Sequence, residues 1–191
     1  MSKPDVKSII VRAANQYFSK FGFYKTTMDE IAKHIHKAKG VLYYHFNSKE
    51  ELFNEVLKQE LKGVKAELRK VINDSDDALN MLNNYIFTRF DLLHKSDTYH
   101  ETLKADFFEK YHFVENVRGD FAKFDKEQLY FIISKGIKEG TLEISDLEST
   151  VDLILMVMNS MEIPLFLQDK YSEYIDTGKE LASFIIRGLK S

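Results

Sequence analysis

The chain has 191 residues, 44% hydrophobic and 30% charged, which is enough apolar material for a real core and excludes a disordered or fibrous protein. It contains no cysteine, which excludes disulfides, thiolate metal sites and a cysteine nucleophile. The net charge of −3 conceals an asymmetry: residues 1–49 carry nine basic and three acidic groups, a net +6, and the remainder carries 18 basic and 27 acidic groups, a net −9. Such a division suits an N-terminal part that faces a polyanion and a remainder that does not.

Two prolines, eight glycines and no sustained apolar alternation point to an all-α protein. The N-terminus is polar and lacks an apolar core of signal-peptide length. The most apolar run, Leu153 to Met158, is too short to span a bilayer, so a cytoplasmic protein without a membrane partner is expected. Helix starts are marked by recurring capping boxes, a Ser or Thr with an acid three residues on: Ser2 with Asp5, Thr27 with Glu30, Ser48 with Glu51, Thr98 with Glu101, and Ser145 with Glu148.

Helix 1 is predicted from about Pro4 to Phe21, with Ile9, Ile10, Ala13, Ala14, Tyr17, Phe18 and Phe21 on its apolar face and Gly22 as its stop. Helix 2 starts after Thr27 and buries Ile31 and Ile35; helix 3 spans roughly Lys39 to Phe46. Helix 4 starts after Ser48 and runs long, with Phe53, Leu57, Leu61, Val64, Leu68 and Val71 on one face, until Asn73-Asp74-Ser75-Asp76 breaks it. Helix 5 covers about Ala78 to His94, helix 6 about Tyr99 to Tyr111, and helix 7 part of Val114 to Lys138, with Gly140 as its stop. Helix 8 follows Ser145 to about Leu167 and helix 9 covers about Tyr174 to Leu189, about nine helices in all. The basic head passes into the acidic remainder inside helix 4, so the two are mechanically continuous.

Two short crossing helices need a small residue where they touch, and Ala32 serves. Ile31, Ile35, Val41, Leu42 and Phe46 can hold them to helix 1, and Gly40 lets a backbone or a phosphate come close. Lys37, Lys39, Tyr43, Tyr44 and His45 then point outward. A tyrosine offers its hydroxyl to a phosphate and its ring to a thymine methyl. Lys49, in the first turn of helix 4, and Thr26 and Thr27, at the start of helix 2, stand where backbone N–H groups favour an anion. His34 and His36 are two apart and point to different sides of a helix, and no carboxylate cluster accompanies them, so neither a metal nor a cofactor is expected.

From about Ile9 to Phe53 the residues resemble the TetR family of bacterial transcriptional repressors. The resemblance rests on Phe21-Gly22-Phe23, Thr26-Thr27, Ile31-Ala32, Gly40-x-Leu42-Tyr43-x-His45-Phe46 and Ser48-Lys49-Glu50-Glu51-Leu52, in order and at the expected spacing. It implies a homodimer with two helix-turn-helix heads and ligand-binding bodies. It also implies phosphate contacts by Thr26, Tyr43, His45 and Lys49, and base-edge contacts near Lys39 and Tyr44. The division expected is a DNA-binding domain over residues 1–48 and a ligand-binding and dimerisation domain over residues 49–191. Three positions depart from the family pattern. His36 stands where a turn glycine is usual, Lys37 where a small apolar residue is usual, and Ala38 where a Ser or Thr often caps helix 3. A turn at positive φ, costly for histidine, or a late start of helix 3 would follow.

Aromatic residues crowd the middle of the chain, and a helical bundle needs most of them for its core. Phe87, Phe90, Tyr99, Phe108, Tyr111, Tyr130 and Met158 are the candidate ligand-binding residues, with Asn84, Arg89, His112 and Asn159 among the polar groups that could join them. An effector of this site would be mostly apolar or aromatic. Leu153, Ile154, Val157, Met161 and Leu165 on helix 8, with Phe184, Ile185 and Leu189 on helix 9, exceed what one interior face needs. They suit a four-helix dimer bundle across a two-fold axis, or closure of the monomer core. No nucleophile elbow, paired-carboxylate motif, phosphate loop or metal spacing supports an enzyme. The function expected is a dimeric, ligand-responsive regulator, a repressor, on a palindromic double-stranded DNA operator. The alternative is a helical ligand- or protein-binding module with a vestigial head.

Overall fold

Helical periodicity becomes helix at nearly every predicted segment in the computed structural model, which describes residues 5–104, 112–168 and 171–189. In chain order these are α1 (Val6–Lys25), α2 (Met28–His34), α3 (Lys39–His45), α4 (Lys49–Asp74), α5 (Ala78–His94), α6 (Asp97–Glu101), a 3-10 turn (His112–Val114), α7 (Glu115–Lys138), α8 (Leu147–Glu162), a π turn (Ile163–Leu167) and α9 (Tyr171–Leu189). The described residues form no strand. The chain divides into two compact units, one of Met1–Lys62 with Ser96–Val117, the other of Gly63–Lys95 with Arg118–Ser191.

In the first unit α1 is interrupted at Gly22, whose φ of 77° and ψ of 171° lie outside the helix. Phe23 follows into the core, where its ring meets Phe53 edge-on at 5.1 Å and Phe113 at 5.7 Å. Thr27 opens α2 with a complete capping box, accepting from the Glu30 N–H while Glu30 accepts from the Thr27 N–H. Met28, Ile31 and Ala32 are buried; Ile35, expected inside, is only half-buried because it sits at the helix end. Ser48 accepts from the Glu51 N–H, but Glu51 turns its carboxylate to the backbone and side-chain nitrogens of Asn47, one residue ahead of the predicted box.

Other predicted caps move to better-placed neighbours. Ser96, not Thr98, caps α6 by accepting from the Tyr99 N–H, and the Glu101 carboxylate is used elsewhere. Asp146, not Ser145, caps α8, since a carboxylate one residue on accepts from the Ser149 N–H at 3.1 Å. The Ser2 cap lies outside the described residues. On α4 the inward face ends in Ile72 rather than Val71.

In the second unit Asp77 caps α5, accepting from the Asn80 N–H at 2.8 Å, and the Ala78 N–H donates to Glu139 on α7. Gly140 stops α7 at φ 70°. Gly136 has no room for a side chain: a Cβ would lie 2.5 Å from Leu142 Cδ1. Three helices are joined by a buried polar network. The Tyr85 hydroxyl donates to Asp125 at 2.6 Å, Arg89 Nε donates to Asp125 at 2.7 Å, and Arg89 Nη2 donates to Glu162 at 2.8 Å and to Asn159 at 3.2 Å. Burial, with the Asp125 carboxylate beside it, pushes the Tyr85 phenol well above its ordinary pKa. Pro164 has no N–H to continue the α-register, and the helix widens there into the π turn. With that turn α8 becomes a 21-residue helical element, Leu147–Leu167, of mean hydropathy 1.5 in its most apolar window, a third of it buried within the chain. Its length and apolar composition would suffice to cross a membrane, longer than the run the sequence singled out. Leu153, Met156 and Ile163 are among its exposed residues.

Candidate nucleic-acid interface

The candidate interface is built on the turn between α2 and α3. His36 stands at φ 53° there, the one non-glycine at positive φ among the described residues. Its N–H donates to the Lys33 carbonyl at 3.1 Å, and the Lys37 N–H donates to the Ala32 carbonyl at 3.0 Å. Those two bonds form a Schellman closure with histidine in the glycine position. Ala38 supplies no side-chain cap, yet α3 starts at Lys39 without delay, and the Val41 N–H donates to the Ala38 carbonyl at 2.9 Å. Leu42 and Phe46 are buried and fix the inner face of α3.

The opposite face is open. Tyr44 is 84% exposed and stands edge-on to His45 at 5.1 Å; Tyr43 is 42% exposed and His45 half-buried. Lys37, Lys39 and Gly40 are exposed, and a Cβ on Gly40 would meet nothing within 4 Å, so space rather than packing surrounds it. Lys39 pairs with Asp29 on α2 at 3.0 Å and lies 5.6 Å over the Tyr43 ring. The bond to Asp29 and its charge hold the Lys39 ammonium above its ordinary pKa. Asp29 was not among the residues the sequence singled out; ten residues away and in the next helix, it gave no periodic signal.

Two residues expected on this face are turned inward. Thr26 is 0% exposed, and its hydroxyl donates to the Gly22 carbonyl at 2.8 Å and the Tyr17 carbonyl at 3.2 Å, groups released by the break in α1. It has no surface to offer a phosphate. Lys49 donates to the Phe23 carbonyl at 2.8 Å and the Thr26 carbonyl at 3.1 Å, and its ammonium lies 4.2 Å over the Phe23 ring. Burial lowers its pKa, and the side chain is committed to holding the joint between α1 and α2. Thr27 is exposed, with its hydroxyl bonded to Glu30 at 2.7 Å within the capping box.

The candidate ligand residues are dispersed. Tyr99 is buried in the first unit. In the second, Phe90 and Met158 are core residues, and Tyr130 is 47% exposed on the outer side of α7, where it lines no interior pocket. Phe108 and Tyr111 lie outside the described residues. Arg89 and Asn159 belong to the buried network, and His112 is an exposed partner of Glu115 at 2.6 Å. Phe87 and Asn84 do meet: with Val71, Thr88, Leu92 and the polar residues Glu67, Lys70, Asp74 and Ser75 they line an open groove of about 500 Å³ between α4 and α5. Among the described residues no group of three His, Asp or Glu side chains could hold a metal ion.

Residues 10–56 match the family model for bacterial regulatory proteins of the tetR family. The HTH-type transcriptional regulator YhgD of Bacillus subtilis, itself uncharacterized, is 32% identical over 161 residues, covering 79% of each chain. A transcriptional regulator from Cytophaga hutchinsonii shares the fold at a TM-score of 0.83 and 22% identity, over 96% of this chain and 98% of that one. The regulator FadR from Bacillus subtilis, solved in complex with stearoyl-CoA, does so at 0.77 and 17% identity, over 95% and 98%.

Proposed function

The chain belongs to the TetR family of bacterial transcriptional regulators, a family without enzymatic activity, and from that premise we propose that it is a dimeric, cytoplasmic repressor that binds a palindromic operator and is released by a small, mostly apolar effector. The observation that carries the reading is the outer face of α3: Tyr43, Tyr44, Lys37 and Lys39 stand together on a helix whose inner face is locked by Leu42 and Phe46. Phosphate contacts fall to Lys37, Tyr43, His45 and Thr27, with the backbone at Gly40. Base-edge contacts fall to Lys39 and Tyr44. Residues 1–48 form the DNA-binding part and residues 49–191 the ligand-binding and dimerisation part.

Pairing of subunits is assigned to α8 and α9, where Leu153, Met156, Ile163 and Phe184 are exposed, Phe184 at 70%. A second copy covers these apolar side chains better than water does. Two copies must then set their reading helices ~34 Å apart to enter successive major grooves. An effector acts by favouring a state in which that spacing fails. A fold neighbour that holds stearoyl-CoA supports an apolar molecule as the kind of ligand this architecture accommodates.

Gel-shift titration with DNA from upstream of the chain's own coding sequence tests the reading. Expected is binding that prefers this duplex over random duplex and falls steeply with salt; no specific binding at any salt would end it. Tyr44→Ala should lower discrimination by about 1–3 kcal/mol. Lys37→Ala should weaken binding to every sequence and reduce the salt slope by about 0.9. Sedimentation of Phe184→Glu should show single subunits where the unaltered chain shows pairs.

A further inference from the structure

A helix that stops short leaves backbone donors and acceptors that something must satisfy. At the break in α1 the satisfying groups come from two other helices. The Phe23 N–H donates 3.2 Å to Glu101 Oε2 on α6, across 78 positions of sequence. The Phe23 carbonyl accepts from Lys49 on α4 at 2.8 Å. One residue thus has its backbone donor held by a carboxylate and its acceptor held by an ammonium. The Glu101 side chain is almost closed off from solvent, is paired with Lys104, and lies against Gly22 so closely that a Cβ there would stand 3.2 Å from Oε2. Gly22 also needs its φ of 77°, which a larger residue adopts only under strain. Thr26 closes the same joint by bonding the Gly22 carbonyl. The joint leads directly into α2, so its conformation sets the angle at which α2 and α3 leave α1. All these residues belong to one unit, in which Ser96–Val117 packs with Met1–Lys62.

We infer that α6 is a strut of the DNA-reading head and that Glu101 is a positioning residue for DNA binding, acting through the Phe23 N–H without touching DNA. The inference rests on the DNA-binding reading above. It assigns Lys49 the matching role on the other side of the joint, in place of a phosphate contact. What the interaction requires of residue 101 is an acceptor oxygen at that place, so glutamine should suffice and alanine should not.

The test uses the full chain with Glu101→Ala and Glu101→Gln. Three things are measured: amide exchange at Phe23, melting temperature, and affinity for the upstream duplex and for random duplex by fluorescence anisotropy. Expected for Glu101→Ala is Phe23 exchange at least tenfold faster and operator affinity at least tenfold weaker, with random-duplex affinity within threefold and a folded chain at the assay temperature. Expected for Glu101→Gln is protection and operator affinity within threefold of the unaltered chain. Unchanged Phe23 exchange or unchanged operator affinity in Glu101→Ala overturns the inference, as does an equal loss in both variants. If Glu101→Ala does not fold, loss of Phe23 protection or of operator preference in a folded Glu101→Gln chain overturns it, and their retention supports it. If the unaltered chain itself fails to prefer the upstream duplex, the DNA-binding reading falls, while Phe23 exchange still decides whether Glu101 holds the joint.

Discussion

Arg89 on α5 donates through Nε to Asp125 on α7, 2.7 Å away, and both side chains are closed off from solvent. The same guanidinium reaches Glu162 on α8. Burying one cation with two carboxylates costs several kcal/mol per ion in desolvation, which only the mutual attraction and hydrogen bonds offset. The asymmetry that follows is large. Arg89→Met should destabilise the chain by about 3–5 kcal/mol, because two carboxylates stay behind in an apolar setting without their guanidinium. Replacing Arg89, Asp125 and Glu162 together by apolar residues of similar volume should cost far less. Urea titrations of the single and the triple variant decide it; equal losses would mean that the network contributes only its packing.

Asp29 and Lys39 form an exposed pair at 3.0 Å on the face assigned to DNA. In solution such a pair contributes little to stability. On DNA the same carboxylate repels phosphates and competes for the lysine. Asp29→Asn should therefore leave the melting temperature almost unchanged, raise affinity for random duplex, and steepen the dependence of log K on log salt by up to about 0.9, the share of one added cation. A salt slope identical to that of the unaltered chain would show that Asp29 lies clear of the duplex.

What could be read beforehand was local. The Thr27–Glu30 box, the stop at Gly22, the stop at Gly140 and the strained turn at His36 each depend on residues within a few positions of one another. The turn residue was legible because only a left-handed residue closes a helix end of that length. Thr26 and Lys49 were misassigned for one shared reason. Their partners are carbonyls set free by the break in α1, and Lys49 finds its partners 26 and 23 positions back, where no periodicity points. Ser96 and Asp146 displaced the expected caps because several capping residues stood side by side and the backbone geometry chose among them. Tyr130 could not be told from a lining residue, since α7 carries aromatic side chains on both its buried and its exposed face.

His36 holds φ at 53° with an exposed side chain. A residue other than glycine gives up roughly 1–2 kcal/mol in that region. Glycine relieves the strain but loses more chain entropy on folding, roughly 0.5–1 kcal/mol. The two effects nearly offset, with strain the larger, so His36→Gly should stabilise the chain by up to about 1 kcal/mol, and His36→Val should destabilise it because a β-branched side chain is worst there. Opposite signs for the two variants in thermal unfolding are the expected pattern. If glycine lowers the melting temperature, the imidazole makes a stabilising contact that outweighs the strain.

Glu60 on α4 accepts a 2.5 Å hydrogen bond from the Ser96 hydroxyl and is mostly withdrawn from solvent. Burial raises its pKa above the ordinary glutamate value; bonds from Ser96, Thr98 and Asn15 work against that shift, and the nearby Asp97 charge adds to it. A carboxyl with a raised folded-state pKa prefers its neutral form in the fold. Its stabilising contribution is complete below the unfolded value of about 4.3 and is lost as pH rises through the folded value. Carboxylates held low, such as Asp77, Asp91 and Asp146, run the other way and gain stability over the acid range. Glu60→Gln keeps an acceptor for Ser96 and has no charge at any pH. It should therefore gain on the unaltered chain as pH rises from about 4 to 7 and hold that advantage above, read as the difference in urea midpoint between the two chains at each pH. A difference that stays constant across this range would mean that Glu60 carries no more cost when ionised in the fold than in the unfolded chain.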